Sequence, residues 1–355
     1  MVRRRTKERD REEGDTVALR LLELTVPSQG IEAVSSLLED SPVLHVFISK
    51  SADAANLVHI LLDAKHVEAL SDTLLSRFGS ESMRLITLPV EATIPPVEEP
   101  SEPSENVQGE EPAAEAPEPQ RISREELYED LSEASRVSGV YAVMVALSTL
   151  VAAVGLVRGD TAIVIGAMVI APLLGPNVAL SLACTLGDPG LAKRSLKAIG
   201  VGVAIAGALS LMLGFLLRID PTSPELAART RADFADIVLA LAAGGAGSLA
   251  FTSGVSAVVV GVMVAVALLP PLVVAGLLAG GGYAAPALGA VALTLTNVTC
   301  INLAAMATFF LQKVRPRTWW EAEQARRATR LAITIWVVML IVLLGLMLSN
   351  QVRAI

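Results

Sequence analysis

Several stretches of this chain run for close to 20 residues without one charged side chain. No other feature constrains the fold as strongly, because a charge-free run of about 20 residues crosses the hydrocarbon of a bilayer as one helix. In hydrocarbon each backbone amide and carbonyl must find its partner within the protein, so such runs form closed helices. Composition agrees: 53% hydrophobic and 18% charged residues put the chain among membrane proteins. Seven apolar segments are expected, at 137–157, 161–186, 196–217, 236–252, 254–279, 285–311 and 330–349.

Two of these segments are one sequence written twice. Residues 159–176 and 254–271 align at an offset of 95, with nine of 18 positions identical, among them Gly166/Gly261, Met168/Met263 and Pro176/Pro271. Each copy contains helix breakers, at Pro172 to Pro176 in the first and Pro270-Pro271 in the second. A broken helix strands carbonyls and amides at about several kcal/mol each unless protein or water satisfies them, so the breaks should face an interior or a wet cavity. The expected bundle is two repeated three-helix units, 137–217 and 236–311, followed by a last span at 330–349. Repeated broken segments of this kind point to a transport pathway.

The net charge of −8 is local in origin, since residues 91–120 hold nine Glu and seven Pro with no Lys or Arg. Such a composition buries too little surface to fold and reads as a linker. Residues 1–15 read as a disordered basic tail, since Arg3-Arg4-Arg5 is followed by more charge instead of the apolar core of a signal peptide. Residues 16–90 alternate between periods of two and 3.6 in the order strand, helix, strand, strand, helix, strand, the split βαβ or ferredoxin-like arrangement. In the first strand the apolar phase changes from Val17, Leu19 and Leu21 to Leu22, Leu24 and Val26, which predicts a bulge. Residues 121–136 form a juxtamembrane amphipathic helix, with Ser123 and Glu126 as a capping box, Ile122 and Leu127 as a staple, and Leu127, Leu131 and Ala134 on one side.

If each broken segment crosses the bilayer, every repeat has three spans and the two copies are inverted. With the amino terminus in the cytoplasm, 12 cations flank the spans inside and five outside, and the carboxyl terminus lies outside. Re-entrant segments return the same 12 to five, so charge supports the cytoplasmic amino terminus in a cell membrane and is silent on inversion. A length near 26 residues favours crossing.

Gly-Ala-Met-Val-Ile-Ala-Pro-Leu-Leu-Gly-Pro at 166–176, together with Ser-Arg-Glu-Glu-Leu-Tyr at 123–128, resembles the bacterial and archaeal hydrophobic family known as domain of unknown function 389. The likeness covers about residues 120–310. It implies a membrane protein and names no substrate.

No Asp, Glu, Lys, Arg or His falls in the middle of a span, and Asp160 and Asp188 sit at ends. That argues against an ordinary proton pump, whose relays are intramembrane acids. Neutral polar groups remain as pathway candidates: Gly175, Pro176 and Asn177 at the first break, Ser253 before the second, Pro270 and Pro271 within it, and Thr294, Asn297 and Asn302 in span six. Asn177 stands where a second half-helix starts, either as its N-cap or as a ligand contact at exposed amides. The Asn297 stripe either lines a cavity or bonds a neighbouring helix. Gly200, Gly207, Gly244, Gly245 and Gly247 read as close helix packing, and Trp319 and Trp320, beside a capping box of Thr318 and Glu321, as interfacial anchors. Cys184 and Cys300 read as buried fillers, and His45, His59 and His66 as structural, with no metal-ligand spacing.

These features describe an α-helical polytopic membrane protein with an α+β cytoplasmic domain. Its expected role is a transporter or channel for a small neutral or anionic solute, without cofactor, metal or nucleic-acid partner, in a homo-oligomer within the lipid bilayer. The alternative is a membrane-anchored sensor or assembly platform whose soluble domain binds a ligand or partner. No nucleophile and base pair or phosphate loop suggests an enzyme.

Overall fold

The computed structural model describes residues 19–27, 30–39, 41–50, 55–79, 84–90, 93, 121–231, 233–254, 268–316 and 319–353. The basic tail, nearly all of the 91–120 linker and residues 255–267 of the second apolar repeat lie outside these, as do Val17, Thr318 and the side chains of Trp319, Trp320 and Glu321. The chain divides into two compact units, Met1–Ser123 and Arg124–Ile355.

In the first unit the order is β1 (Leu19–Pro27), α1 (Ile31–Glu39), β2 (His45–Lys50), β3 (Ala55–Asp63), α2 (Ala64–Phe78) and β4 (Arg84–Pro89). The strands form one antiparallel sheet of order β2-β3-β1-β4, the split βαβ arrangement. Val34, Leu37 and Leu38 of α1 and Val67, Leu70 and Leu74 of α2 recur at helical spacing. They close over Leu22, Leu24 and Val26 of β1 and Val58, Ile60 and Leu62 of β3. β3 runs straight into α2 because Asp63, last in the strand, caps the helix by accepting the Lys65 amide at 3.1 Å.

The expected bulge is not there: every residue from Leu19 to Pro27 pairs in unbroken register with β3, from Asp63 back to Ala55. The phase change has another cause. β1 is a central strand with apolar side chains on both faces, Leu22, Leu24 and Val26 under the helices and Leu19 and Leu21 half-buried on the open face. On that open face His59 Nδ1 lies 3.3 Å from a Glu23 carboxylate oxygen, and the exposed Phe47 ring stands 6.1 Å from the imidazole centroid.

The second unit comprises α3 (Arg124–Ala134), α4 (Gly139–Arg158), α5 (Thr161–Ile170), α6 (Leu174–Leu186), α7 (Pro189–Leu216), α8 (Pro224–Ala227), α9 (Phe234–Thr252), α10 (Leu269–Gly280), α11 (Ala284–Leu311) and α12 (Trp319–Arg353). Among the described residues, α4, α7, α9, α11 and residues Ala325–Leu346 of α12 are long and apolar enough to cross a membrane, and the bent pair α5–α6 brings the number to as many as six. The chain is therefore a multi-pass membrane protein.

Two helix reversals use one local device. Gly159 and Gly187 take left-handed φ of 68° and 71°, ending α4 and α6, and the next residue, Asp160 or Asp188, caps the following helix. Asp188 accepts the amides of Gly190 at 2.7 Å and Leu191 at 3.1 Å, with Pro189 in the first turn. That cap starts α7 at Pro189, ahead of the apolar stretch expected from 196, so Lys193 and Lys197 ride exposed on its first turns.

Packing in the bundle is close where glycine allows it. A Cβ on Gly244 of α9 would stand 2.6 Å from the Ile301 carbonyl oxygen of α11, whereas Gly200 and Gly207 of α7 face open space, contrary to the packing role expected of them. A helix face toward lipid needs no small residue, so glycine content alone does not locate a contact. Tyr141 of α4 donates to the Ala198 carbonyl of α7 at 2.8 Å, and Thr329 of α12 to the Cys184 carbonyl of α6 at 2.9 Å. Cys300 is fully buried between α9 and α12, and Cys184 is half-buried; both thiols are free.

Candidate functional site

The interruption between α5 and α6 covers Ala171 to Leu173, with the two helices bent by 51°. Pro176 belongs to the first turn of α6, where proline is tolerated because the early amides have no helical partner. Leu173 is the N-cap, in an αR conformation and with no side-chain capping bond. Asn177 is therefore no cap. It sits one turn into α6, 3% exposed, and its Nδ2 donates to the Leu173 carbonyl at 2.8 Å, satisfying an oxygen at the break.

Asn177 also faces α11. Asn302, fully buried there, donates through Nδ2 to the Val298 carbonyl of its own helix at 2.8 Å and to Asn177 Oδ1 at 3.3 Å. Its Oδ1 accepts from the Ser181 hydroxyl at 2.8 Å. The carbonyls of Asn177 and Asn302 both lie 3.3 Å from that hydroxyl, and Thr185 donates to the Ser181 carbonyl at 2.8 Å. Two carboxamides and a hydroxyl thus form a seam between α6 and α11, inside an apolar bundle and one turn from a broken helix. Its chemistry is neutral hydrogen bonding, and every group in it could exchange its partner for a polar solute or water.

Of the residues singled out from sequence, the structure joins Asn177 and Asn302. Gly175 approaches α3, where a Cβ would stand 2.7 Å from that of Ala134. Pro270 and Pro271 are buried in the first turn of α10. Ser253 is exposed at the end of α9 and turns back on its own helix, donating to the Leu249 carbonyl at 2.9 Å; Thr294 does likewise to Ala290 at 2.9 Å. Asn297 is buried on α11 at 6% exposure. Ser181 went unnoticed in the sequence, although Asn177, Ser181 and Thr185 recur every four residues and so mark one face of α6.

The family model described as domain of unknown function (DUF389) matches residues 168–303. A protein of Methanocaldococcus jannaschii, "Uncharacterized protein MJ0678", is 36% identical over 332 residues, covering 94% of this chain and 99% of the relative. The chain belongs to the DUF389 family. In this DUF389 protein the matched stretch starts in α5 and ends one residue beyond Asn302, so it contains the break, α6 and the whole polar seam. No solved structure matches.

Outside the spanning segments, ionisable groups tie the ends of the DUF389 bundle. Tyr128 of α3 donates to Asp188 Oδ2 at 2.6 Å; that bond and burial push the phenol up to about 12. Burial pushes the Asp188 carboxyl up, but the Tyr128 hydroxyl and the amides of Leu191 and Gly190 outweigh it and hold the group below the usual carboxylate range. Arg194 of α7 donates to Ser132 of α3 at 2.9 Å, and Arg124 to the Arg315 carbonyl at 3.1 Å. At a second set of turns the Thr161 hydroxyl and then Arg229 hold Glu225 low, at 2.8 and 2.7 Å.

Proposed function

We propose that this protein is a transporter or channel for a small neutral or anionic solute, passing it along the seam between α6 and α11 beside the broken helix. The observation that carries the reading is the fully buried Asn177–Ser181–Asn302 cluster at a helix interruption. Polar side chains are costly to bury in an apolar bundle even when paired, and a pathway is what they commonly serve.

An inverted repeat fits the helix bounds. α4 and α9 begin at 139 and 234, α6 and α10 at 174 and 269, and α7 and α11 cover 189–216 and 284–311, each 95 positions apart. The left-handed glycines keep the same offset, Gly159 with Gly254 and Gly187 with Gly282. Crossing, as opposed to re-entry, is supported by what each end of α5–α6 touches. Its start, Thr161, bonds Glu225 beyond the end of α7, while Asp188, just past its finish, caps the start of α7 and bonds Tyr128 of α3, and the 28 residues of α7 separate these by roughly 42 Å. The ends that meet at Tyr128–Asp188 and Arg124–Arg315 carry the cation-rich loops, which supports a cytoplasmic assignment for that side in a cell membrane.

The test is reconstitution in liposomes, with shrink–swell light scattering on glycerol and urea as neutral probes and formate and nitrate as anions. At least one probe should enter faster than in empty liposomes, and Asn302→Leu should abolish the gain. Entry at the empty-liposome rate for all four, or full activity of the variant, would defeat the proposal.

A further inference from the structure

We propose that α6 is a hinged gate which α3 straps shut against α11, whereas α10, at the same place in the second half of the bundle, is fixed. This regulation rests on the transport reading above.

Three features of α6 carry the inference. Both of its ends are joints: the Ala171–Leu173 interruption at one, and Gly187 with φ of 71° at the other. One side carries polar contacts to α11, Ser181 with Asn302 and Asn302 with Asn177. Such bonds can be exchanged for bonds to water or solute at little net cost, so this seam can open. The other side lies under α3, with Ala134 against Gly175 and Tyr128 bonded to Asp188 at 2.6 Å. α3 is itself anchored to α7 by Arg194–Ser132 at 2.9 Å and by the Ser135 and Ser195 hydroxyls at 3.3 Å, with Leu127 and Leu131 fully buried.

The corresponding helix 95 positions on is held differently. Gly276 of α10 stands where α6 has Ser181, and a Cβ there would overlap the Ser210 hydroxyl of α7. Gly280 and Gly214 admit backbone to backbone in the same way, against the carbonyls of Leu211 and Leu277. In this interlocked glycine seam the Ser210 hydroxyl is already bonded to the Ala206 carbonyl of its own helix at 2.6 Å, so separating the helices forfeits dispersion contacts with little polar gain in return. Positions 219–229, which correspond to α3, hold only the four-residue α8. One half of the bundle thus has an exchangeable seam and a strap, and the other has neither.

The experiment uses the full chain with Cys184→Ala and Cys300→Ala, carrying either S181C as reporter on α6 or A275C as control on α10. Each is treated with a water-soluble maleimide, with the strap intact and with Tyr128→Phe plus Ser132→Ala. The S181C reporter should label about tenfold faster once the strap is loosened, the shift expected for loss of a charge-assisted hydrogen bond, while the A275C control stays unchanged. Tyr128→Phe alone removes one hydroxyl, leaves the ring in place and should move labelling in the same direction. Equal S181C labelling with and without the strap overturns the proposal, as does a parallel rise at A275C. Labelling needs no transported solute. Strap-dependent labelling without flux of any probe would therefore refute transport and leave the gate standing, and flux with strap-independent labelling would do the reverse.

Discussion

A double-mutant cycle on Ser181 and Asn302 measures directly whether the seam between α6 and α11 is a bonded unit. Asn302→Ala removes the acceptor at 2.8 Å from the Ser181 hydroxyl and the donor at 3.3 Å from Asn177 Oδ1. Ser181 is not orphaned by this, since the Asn177 and Asn302 carbonyls remain 3.3 Å away, and Asn177 keeps its bond to Leu173. Asn177 Oδ1 does lose its partner in a buried site, so the single substitution should cost about 1–3 kcal/mol. Ser181→Ala leaves the buried Asn302 Oδ1 without its donor and should also cost about 1–3 kcal/mol. The coupling between the two isolates the 2.8 Å bond, and interhelical bonds in membranes average about 0.6 kcal/mol with a ceiling near 1.7. We expect about 1 kcal/mol, read from equilibrium unfolding of the four proteins in mixed SDS micelles. Additive behaviour, with a coupling inside about 0.3 kcal/mol of zero, would refute a direct Ser181–Asn302 bond.

Other outcomes follow from the same geometry. Gly280→Val should prevent folding or sharply lower the yield of folded protein, since its side chain meets the Leu211 carbonyl, whereas Gly200→Ala and Gly207→Ala, which face open space, should be neutral or stabilise by up to about 1 kcal/mol each in a thermal melt. In an absorbance titration of tyrosinate, the step missing from Tyr128→Phe relative to wild type should lie near 12, not near 10. Because the folded phenol is raised, the stability it lends is fully present below pH 10 and is lost as pH rises through about 12. Asp188 acts in the opposite sense: its carboxyl is depressed, so its share is present above the ordinary carboxylate range and fades as pH falls through the lowered value. Native protein should modify with maleimide at the half-buried Cys184 before the fully buried Cys300, and equal rates would contradict the packing of α9, α11 and α12.

Much of the architecture could be read from neighbours in the chain, because its causes are local. Charge-free length selects a membrane helix, the Gly-Asp pairs at 159–160 and 187–188 end one helix and start the next, and helical spacing picks out Leu70 and Leu74 as core. Each signal acts within a turn or two of where it is written. The same locality misled at β1, where Leu21 beside Leu22 suggested a bulge. A strand flanked on both edges and apolar on both faces gives an identical pattern, and only its pairing with β3 and β4 separates the cases.

The polar seam shows why such reading stops short. Asn177 stood out by its place after the break, but Asn302 lies 125 positions away and Ser181 reads alone as an ordinary helix serine. Which side of α6 meets α11 depends on the bend at Ala171–Leu173 and on every helix packed between. Glycines divide the same way: Gly276 is locked and Gly207 is open, with equal local claims. Membrane class, helix content and the duplicated segment are properties of the chain, since hydrocarbon and the backbone impose them on any such sequence. The partner of each polar side chain, and hence which half of the duplicated bundle can open, belongs to the folded molecule, because contacts across more than a hundred residues exist only once the helices have packed.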